Sequence, residues 1–188
     1  MNSQINTPIK KLTFTGLFIA LVFVLTFVVR IPSPTGGYIN IGDCAVLAAG
    51  IILGPLYGAI AAGIGSAVCD VVAGVSIYAP GTLVIKALMA LVVGLFYKKC
   101  KSNGKLLILL ILSELIMIVG YFLYDSLVLY LTGADNVFLA SLEEIVGNSL
   151  QGAIGVIGAI MLRKLFEDIL TKMGGTKEAW EIICQRIQ

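Results

Sequence analysis

Ionisable and amide side chains recur at helical spacing inside strongly apolar stretches of this chain. Glu114, Tyr121 and Asp125 are separated by 7 and 4 residues, so a helix carries them on one face. Glu144, Asn148 and Gln151 follow an i, i+4, i+7 pattern and share another face, with Glu143 beside it. Lys86 lies about six residues inside a third apolar stretch. An ionisable group submerged in hydrocarbon is costly and marks a functional site by default. Turned toward one another, these faces enclose donors (Lys86, Asn148, Gln151), acceptors (Glu114, Asp125, Glu144) and aromatic walls (Tyr121, Tyr124, Tyr130). Such a cavity suits a small, flat, polar molecule. The competing arrangement is internal: Lys86 pairs with a carboxylate, the amides cap backbone breaks, and Glu143 and Glu144 form an acidic first turn of their helix.

Reaction machinery is absent from the same inventory. The chain has no His, which removes the commonest general base and the commonest metal ligand. No G-x-x-x-x-G-K-[ST], H-E-x-x-H or G-x-S-x-G occurs, so neither a nucleotide-binding P-loop nor these hydrolase motifs are present. Cys44, Cys69, Cys100 and Cys184 are scattered and read as small apolar packing residues. Neither a metal nor a cofactor is expected in this chain. A net charge of +2 gives no basic surface for nucleic acid.

The elements that position these groups are membrane helices. Hydrophobic residues are 59% of the 188, Gly contributes another 21 residues, and charged residues are 13%, against about 25% charged in soluble domains. Mean hydropathy is +1.00. The expected fold is all-α: a single integral membrane domain of six transmembrane helices. Span 1 is Lys11–Val29, stopped by Pro32 and Pro34. The 26 uncharged residues between Asp43 and Asp70 are cut by Gly54-Pro55. That gives a short second helix, about Ile41–Leu53, too short to cross alone, and a third, Leu56–Ala73. Spans 4 to 6 follow at about Pro80–Tyr97, Gly104–Leu131 and Phe138–Leu162. The core thus covers residues 11–164, and residues 165–188 form an amphipathic cytoplasmic tail with Trp180 at the headgroup belt.

Six crossings place Lys10, Lys11, Lys98, Lys99, Lys101, Lys105, Arg163, Lys164, Lys172, Lys177 and Arg186 on one side, 11 of the 13 basic residues. The positive-inside bias makes that side, with both termini, cytoplasmic. The loop Pro34–Asp43 (PTGGYINIGD) then faces outward as a lid, with Tyr38 and Asn40 offering stacking and hydrogen bonds. Small residues at Gly16 and Ala20, at Gly58, Ala62 and Ser66, and at Gly152, Gly155 and Gly158 permit close helix approach. Most are expected to pack within the bundle, and the first pair could face another protein.

Gly37-Tyr38-Ile39-Asn40-Ile41-Gly42-Asp43, Leu53-Gly54-Pro55-Leu56-Tyr57-Gly58, Gly63-Ile64-Gly65-Ser66-Ala67 with Asp70, and Tyr78-Ala79-Pro80 with Lys86 stand in this order. In that arrangement the chain resembles the substrate-binding S components of energy-coupling factor (ECF) transporters, in the riboflavin-type family that also holds pyridoxine and hydroxymethylpyrimidine carriers. The resemblance spans about Lys11–Lys164. It implies high-affinity capture of a water-soluble vitamin from outside the cell membrane. It also implies a membrane scaffold subunit and two ATPase subunits that use ATP, with toppling of the S component to release substrate inward. Gly16 and Ala20 fall on the first-helix stripe that contacts the scaffold, where the family usually carries alanines. The family pocket uses the outer loop and helices 4 to 6. Alternatives from other classes are a self-sufficient carrier or channel, and an intramembrane enzyme using Glu114 and Asp125.

Overall fold

The computed structural model describes residues 7–33, 35–133 and 137–172. Its element order is α1 (Thr7–Val28), β1 (Arg30–Pro32), β2 (Tyr38–Asn40), α2 (Asp43–Val72), α3 (Ala79–Phe96), α4 (Asn103–Leu131) and α5 (Val137–Lys172), with one 3₁₀ turn at Tyr97–Lys99. Five helices are long and apolar enough to cross a membrane. The chain is an all-α membrane bundle with a small ribbon at one end.

Local chemistry explains the element ends. Pro80 sits in the first turn of α3, where its missing N–H leaves no intrahelical bond unmade. The Ser102 hydroxyl caps α4 by accepting from the Lys105 N–H at 3.4 Å, which satisfies one orphan donor. Within α2, Gly54 adopts φ 78°, ψ −169°, a backbone open to glycine and followed by Pro55. The two arms of α2 fold back on each other there. A methyl on Gly58 would lie 2.8 Å from the Ala49 carbonyl oxygen, whereas nine residues of straight helix span about 13.5 Å. The break therefore falls at the expected Gly54-Pro55 step.

α2 is the hub of the bundle, packed by α1, α3 and α5. Its first arm, Asp43 to Gly54, is buried throughout. Glycines set the close approaches: a Cβ on Gly65 would meet the Ile19 carbonyl oxygen at 2.7 Å, and one on Gly63 the Leu83 carbonyl oxygen at 2.8 Å. Such contacts replace the hydrophobic drive that lipid removes. The outward faces carry Leu17, Val24, Leu112, Leu123, Val146 and Ile157, all exposed, as lipid contact requires.

Two expectations change. The outer segment read as a loop contains an antiparallel ribbon, with Arg30 opposite Asn40, Ile31 opposite Ile39 and Pro32 opposite Tyr38; its strands are three residues each, too short for a periodicity signal. The last helix does not stop near Leu162 but runs unbroken to Lys172. Trp180 and Cys184 lie outside the described residues, as do most of the positions assigned to the tail.

Candidate functional site

The polar residues converge at the ribbon end of the bundle. Thr26 comes from the last turns of α1, Ser66 and Asp70 from the end of α2, and Thr82 and Lys86 from the start of α3. Tyr121 and Asp125 come from the second half of α4, and Glu144, Asn148 and Gln151 from the first half of α5. With Thr35, Gly37, Tyr38 and Asn40 above and Val75 and Tyr78 beside, they line one cavity of about 30 Å³. Alternating helix direction explains the convergence: each helix presents to this end the part of its sequence that carries its polar groups.

The cavity floor is an ion-pair network. Lys86 Nζ donates to Asp43 Oδ1 at 2.5 Å, and the two residues are 2% and 0% exposed. Gln151 Nε2 donates to Asp43 Oδ2 at 2.7 Å. The Gln151 side-chain Oε1 in turn accepts from the Asn40 backbone N–H at 2.7 Å. Asn40 closes its own turn by accepting from the Gly42 N–H at 2.8 Å. Lys86 also stands 5.2 Å from the centre of the Tyr121 ring, within cation–π range. The network ties the ribbon, α2, α3 and α5 together in one buried cluster.

The ribbon forms the roof. The Tyr38 hydroxyl donates to Asp70 Oδ1 at 2.5 Å, with Cys69 Sγ 3.4 Å away. Burial, then the neighbouring Asp70, pushes the Tyr38 hydroxyl well above the usual phenol range, so it stays a neutral donor. The Thr35 hydroxyl donates to Glu144 Oε2 at 3.2 Å, and the Tyr78 hydroxyl donates to the Thr35 carbonyl at 2.5 Å. Ile39 seats on Gly147 of α5, where a Cβ would stand 2.5 Å from its Cδ1. Polar contacts from α2, α5 and the α2–α3 loop thus hold the roof over the cavity.

Of the ten residues proposed from sequence to meet the ligand, Tyr38, Asn40, Lys86, Tyr121, Asp125, Glu144, Asn148 and Gln151 line this cavity. Two do not. Glu114 is buried lower in the bundle, beside Asp43: a Cβ on Gly155 would lie 2.5 Å from its Oε1 and 2.8 Å from the Asp43 Cβ. Neither Glu114 oxygen has a hydrogen-bond partner among the described residues. Tyr124 packs outside the cavity, with its ring over Gly81 and its hydroxyl donating to the Ile77 carbonyl at 2.8 Å. Tyr130, expected as an aromatic wall, is 75% exposed. Internal pairing takes Lys86, while the acidic-turn alternative for Glu144 does not hold: α5 begins at Val137 with no acidic residue in its first turn, and Glu144 is buried.

Asp43, Thr26, Thr35, Ser66, Tyr78 and Thr82 were not read from sequence as ligand contacts. Asp43 and Asp70 bracket the uncharged stretch and stand in the motifs that carry the family resemblance, but neither was given a ligand role from sequence. Ser66 with Asp70, and Thr82 with Lys86, are i, i+4 pairs, the same signal that found Tyr121 and Asp125.

A multi-pass bundle that closes a small polar cavity under a ribbon has the form of a membrane binding protein. The chain belongs to the family of ECF-type riboflavin transporter S components, whose model matches residues 6–168. It is accordingly the substrate-binding subunit of an ECF importer and not an enzyme, and ATP is hydrolysed by partner ATPases rather than by this chain.

An uncharacterized protein from Pyrococcus woesei is 34% identical over 145 residues, covering 77% of this chain and 96% of that one. The thiamine precursor transporter HmpT of Lactococcus lactis subsp. cremoris (strain MG1363) is 32% identical over 124 residues, covering 65% of this chain and 70% of that one. Two solved structures share the fold. The S component of a bacterial ECF transporter aligns with a TM-score of 0.70 at 23% identity, over 87% of this chain and 98% of that one. The S component for biotin from an ECF-type ABC transporter aligns with a TM-score of 0.60 at 22% identity, over 89% and 95%.

Proposed function

We propose that the chain captures a ring-shaped vitamin or vitamin precursor, of the pyridoxine, hydroxymethylpyrimidine or riboflavin class, in the cavity beneath the ribbon. The observation that carries this reading is the enclosure itself: buried carboxylates, an amide and two tyrosine rings face one space roofed by Tyr38 and Thr35. The 32% identity to a thiamine precursor transporter supports a pyrimidine-sized ligand. Tyr38, Asn40, Lys86, Tyr121, Asp125, Glu144, Asn148 and Gln151 form the binding set. Lys86, Gln151 and Asn40 hold the shape of the floor, while Asp125, Glu144 and Asn148 present polar atoms to the ligand.

In the membrane the chain makes six passes, counting the two arms of α2 separately, with both termini cytoplasmic. The basic cluster Lys98, Lys99, Lys101 and Lys105 between α3 and α4 supports that orientation. The cavity then opens outward and the ribbon is its lid. A scaffold subunit and two ATPases complete the importer, and the face of α1 bearing Gly16 and Ala20 meets the scaffold. Both residues are exposed, and no group lies within 4 Å of a Cβ placed on Gly16.

The deciding experiment is equilibrium binding of pyridoxine, hydroxymethylpyrimidine and riboflavin to the purified chain in detergent, with mass spectrometry of any co-purifying ligand. Micromolar or tighter binding of one of them is expected. Failure of all three, with no ligand co-purifying, overturns the reading. Uptake into liposomes that contain this chain and no ATPase would instead favour a self-sufficient carrier.

A further inference from the structure

The charges that line the cavity do not balance. Asp70, Asp125 and Glu144 face it with a single ammonium, Lys86, and Lys86 is already engaged by Asp43. Arg30 stands outside at the mouth, over the Phe27 and Tyr38 rings. Asp70 takes the Tyr38 hydroxyl on one oxygen, and its Oδ2 has no hydrogen-bond partner among the described residues. Asp125 and Glu144, on the neighbouring helices α4 and α5, are only 2% and 5% exposed. Glu144 takes the Thr35 hydroxyl, and no hydrogen bond from a described residue reaches Asp125. Two buried carboxylates on adjacent helices therefore share a space whose one ammonium, Lys86, is already paired with Asp43. Low local dielectric makes that imbalance matter, since an uncompensated buried charge is far costlier than a solvated one.

The missing partner has a definable shape. A carboxylate offers two coplanar acceptors, and its strongest complement is a pair of parallel N–H donors on one edge, as a guanidinium provides. Among flat ring molecules, an amino group beside a ring nitrogen makes such an edge when that nitrogen carries a proton. The Tyr121 and Tyr78 rings line the same space and supply apolar faces. Asn148 can both donate to and accept from a ring substituent.

We propose that Asp125 and Glu144 are the specificity-determining residues of the cavity. They select an amino-substituted nitrogen heteroaromatic ring by its N–H edge and reject vitamins that carry a carboxylate. This inference rests on the vitamin-capture reading above and narrows it to one ligand chemistry.

The test uses the full chain in detergent and four probes: hydroxymethylpyrimidine bearing its amino group, the same ring with an oxo group replacing the amino group, riboflavin, and pantothenate. The amino ring is expected to bind at least about 10-fold tighter than the oxo ring, with pantothenate weakest. Asp125→Asn and Glu144→Gln are each expected to weaken the amino ring about 10-fold or more while changing the oxo ring less than about 3-fold. The comparison of the two rings is made on the unaltered chain, so it stands even if a variant fails to fold. Equal affinity for the two rings, or tighter binding of pantothenate, overturns the proposal. Tight riboflavin binding with indifference to the amino group overturns it while leaving vitamin capture intact. No binding by any of the four overturns both.

Discussion

Lys86 on α3 and Asp43 at the first turn of α2 form a fully buried ion pair, Nζ to Oδ1 at 2.5 Å. Asp43 is also held by Gln151 of α5, so one carboxylate fixes three helices. Removing one member of such a pair strands the other charge, at about 3–5 kcal/mol, whereas removing both is close to neutral. Lys86→Met should therefore lower the thermal midpoint of the detergent-solubilised chain strongly. Combining Lys86→Met with Asp43→Asn should restore most of it, since the amide oxygen introduced by the second substitution can still accept from Gln151. A double-mutant cycle by thermal unfolding checks this. Independent, additive losses would show that the pair does not act as a unit.

The roof depends on a different contact. Tyr38 donates to Asp70 across the cavity mouth, and a hydrogen bond to a charged acceptor contributes about 1.5–3 kcal/mol. Tyr38→Phe keeps the ring and removes the donor. Ligand dissociation should accelerate about 10-fold or more, which stopped-flow release measures, and the thermal midpoint should fall with the lost hydrogen bond. The raised Tyr38 hydroxyl fixes the pH behaviour. A group whose folded value lies above its unfolded one, about 10 for a phenol, stabilises fully below that value and loses the contribution as pH rises beyond it. Between pH 6 and 9 the Tyr38 hydroxyl should therefore keep its proton; a phenolate absorbance present in the parent chain and missing from Tyr38→Phe in that range would contradict it.

Much of this was legible in the sequence, and the limits have physical causes. Gly54-Pro55 announced its own break because both residues act through local backbone geometry. The faces bearing Tyr121 with Asp125 and Glu144 with Asn148 were readable because 3.6-residue periodicity survives in any helix. Two kinds of information were not local. Which face turns toward the cavity at a given depth is set by packing, so Glu114 shares a face with Asp125 yet lies below the cavity beside Asp43. Pairing across the chain was equally hidden: Asp43 marked the end of an apolar run, and nothing nearby in sequence said that Lys86, 43 residues on, would find it. The ribbon escaped because six paired residues hold no repeat long enough to detect.

Glu114 offers a clean separation of bundle from cavity. Its oxygens have no hydrogen-bond partner among the described residues, and Gly152 and Gly155 pack directly on it. A polar group left in that state contributes no net stability. Glu114→Gln, nearly the same shape, should leave the thermal midpoint equal or higher and ligand affinity within about 3-fold of the parent. A loss of affinity as large as that of Glu144→Gln would place Glu114 in the binding machinery after all.

The proposed scaffold face on α1 can be tested without touching the cavity. Gly16 is exposed and a Cβ there meets nothing within 4 Å, so a leucine at that position has room in the isolated bundle and even gains helix propensity over glycine. Fold and vitamin binding should therefore survive Gly16→Leu. In a complex, the same side chain would hold two helix backbones apart where small residues let them touch. Co-purification with the scaffold and ATPase subunits should fall, and ATP-driven uptake with it, while the isolated chain binds ligand as before. Gly65→Leu is the contrast: its Cβ would meet the Ile19 carbonyl oxygen at 2.7 Å, so it should damage the bundle itself. If Gly16→Leu left assembly and uptake at parent levels, the α1 stripe would face lipid alone and the docking surface would have to be sought on another helix.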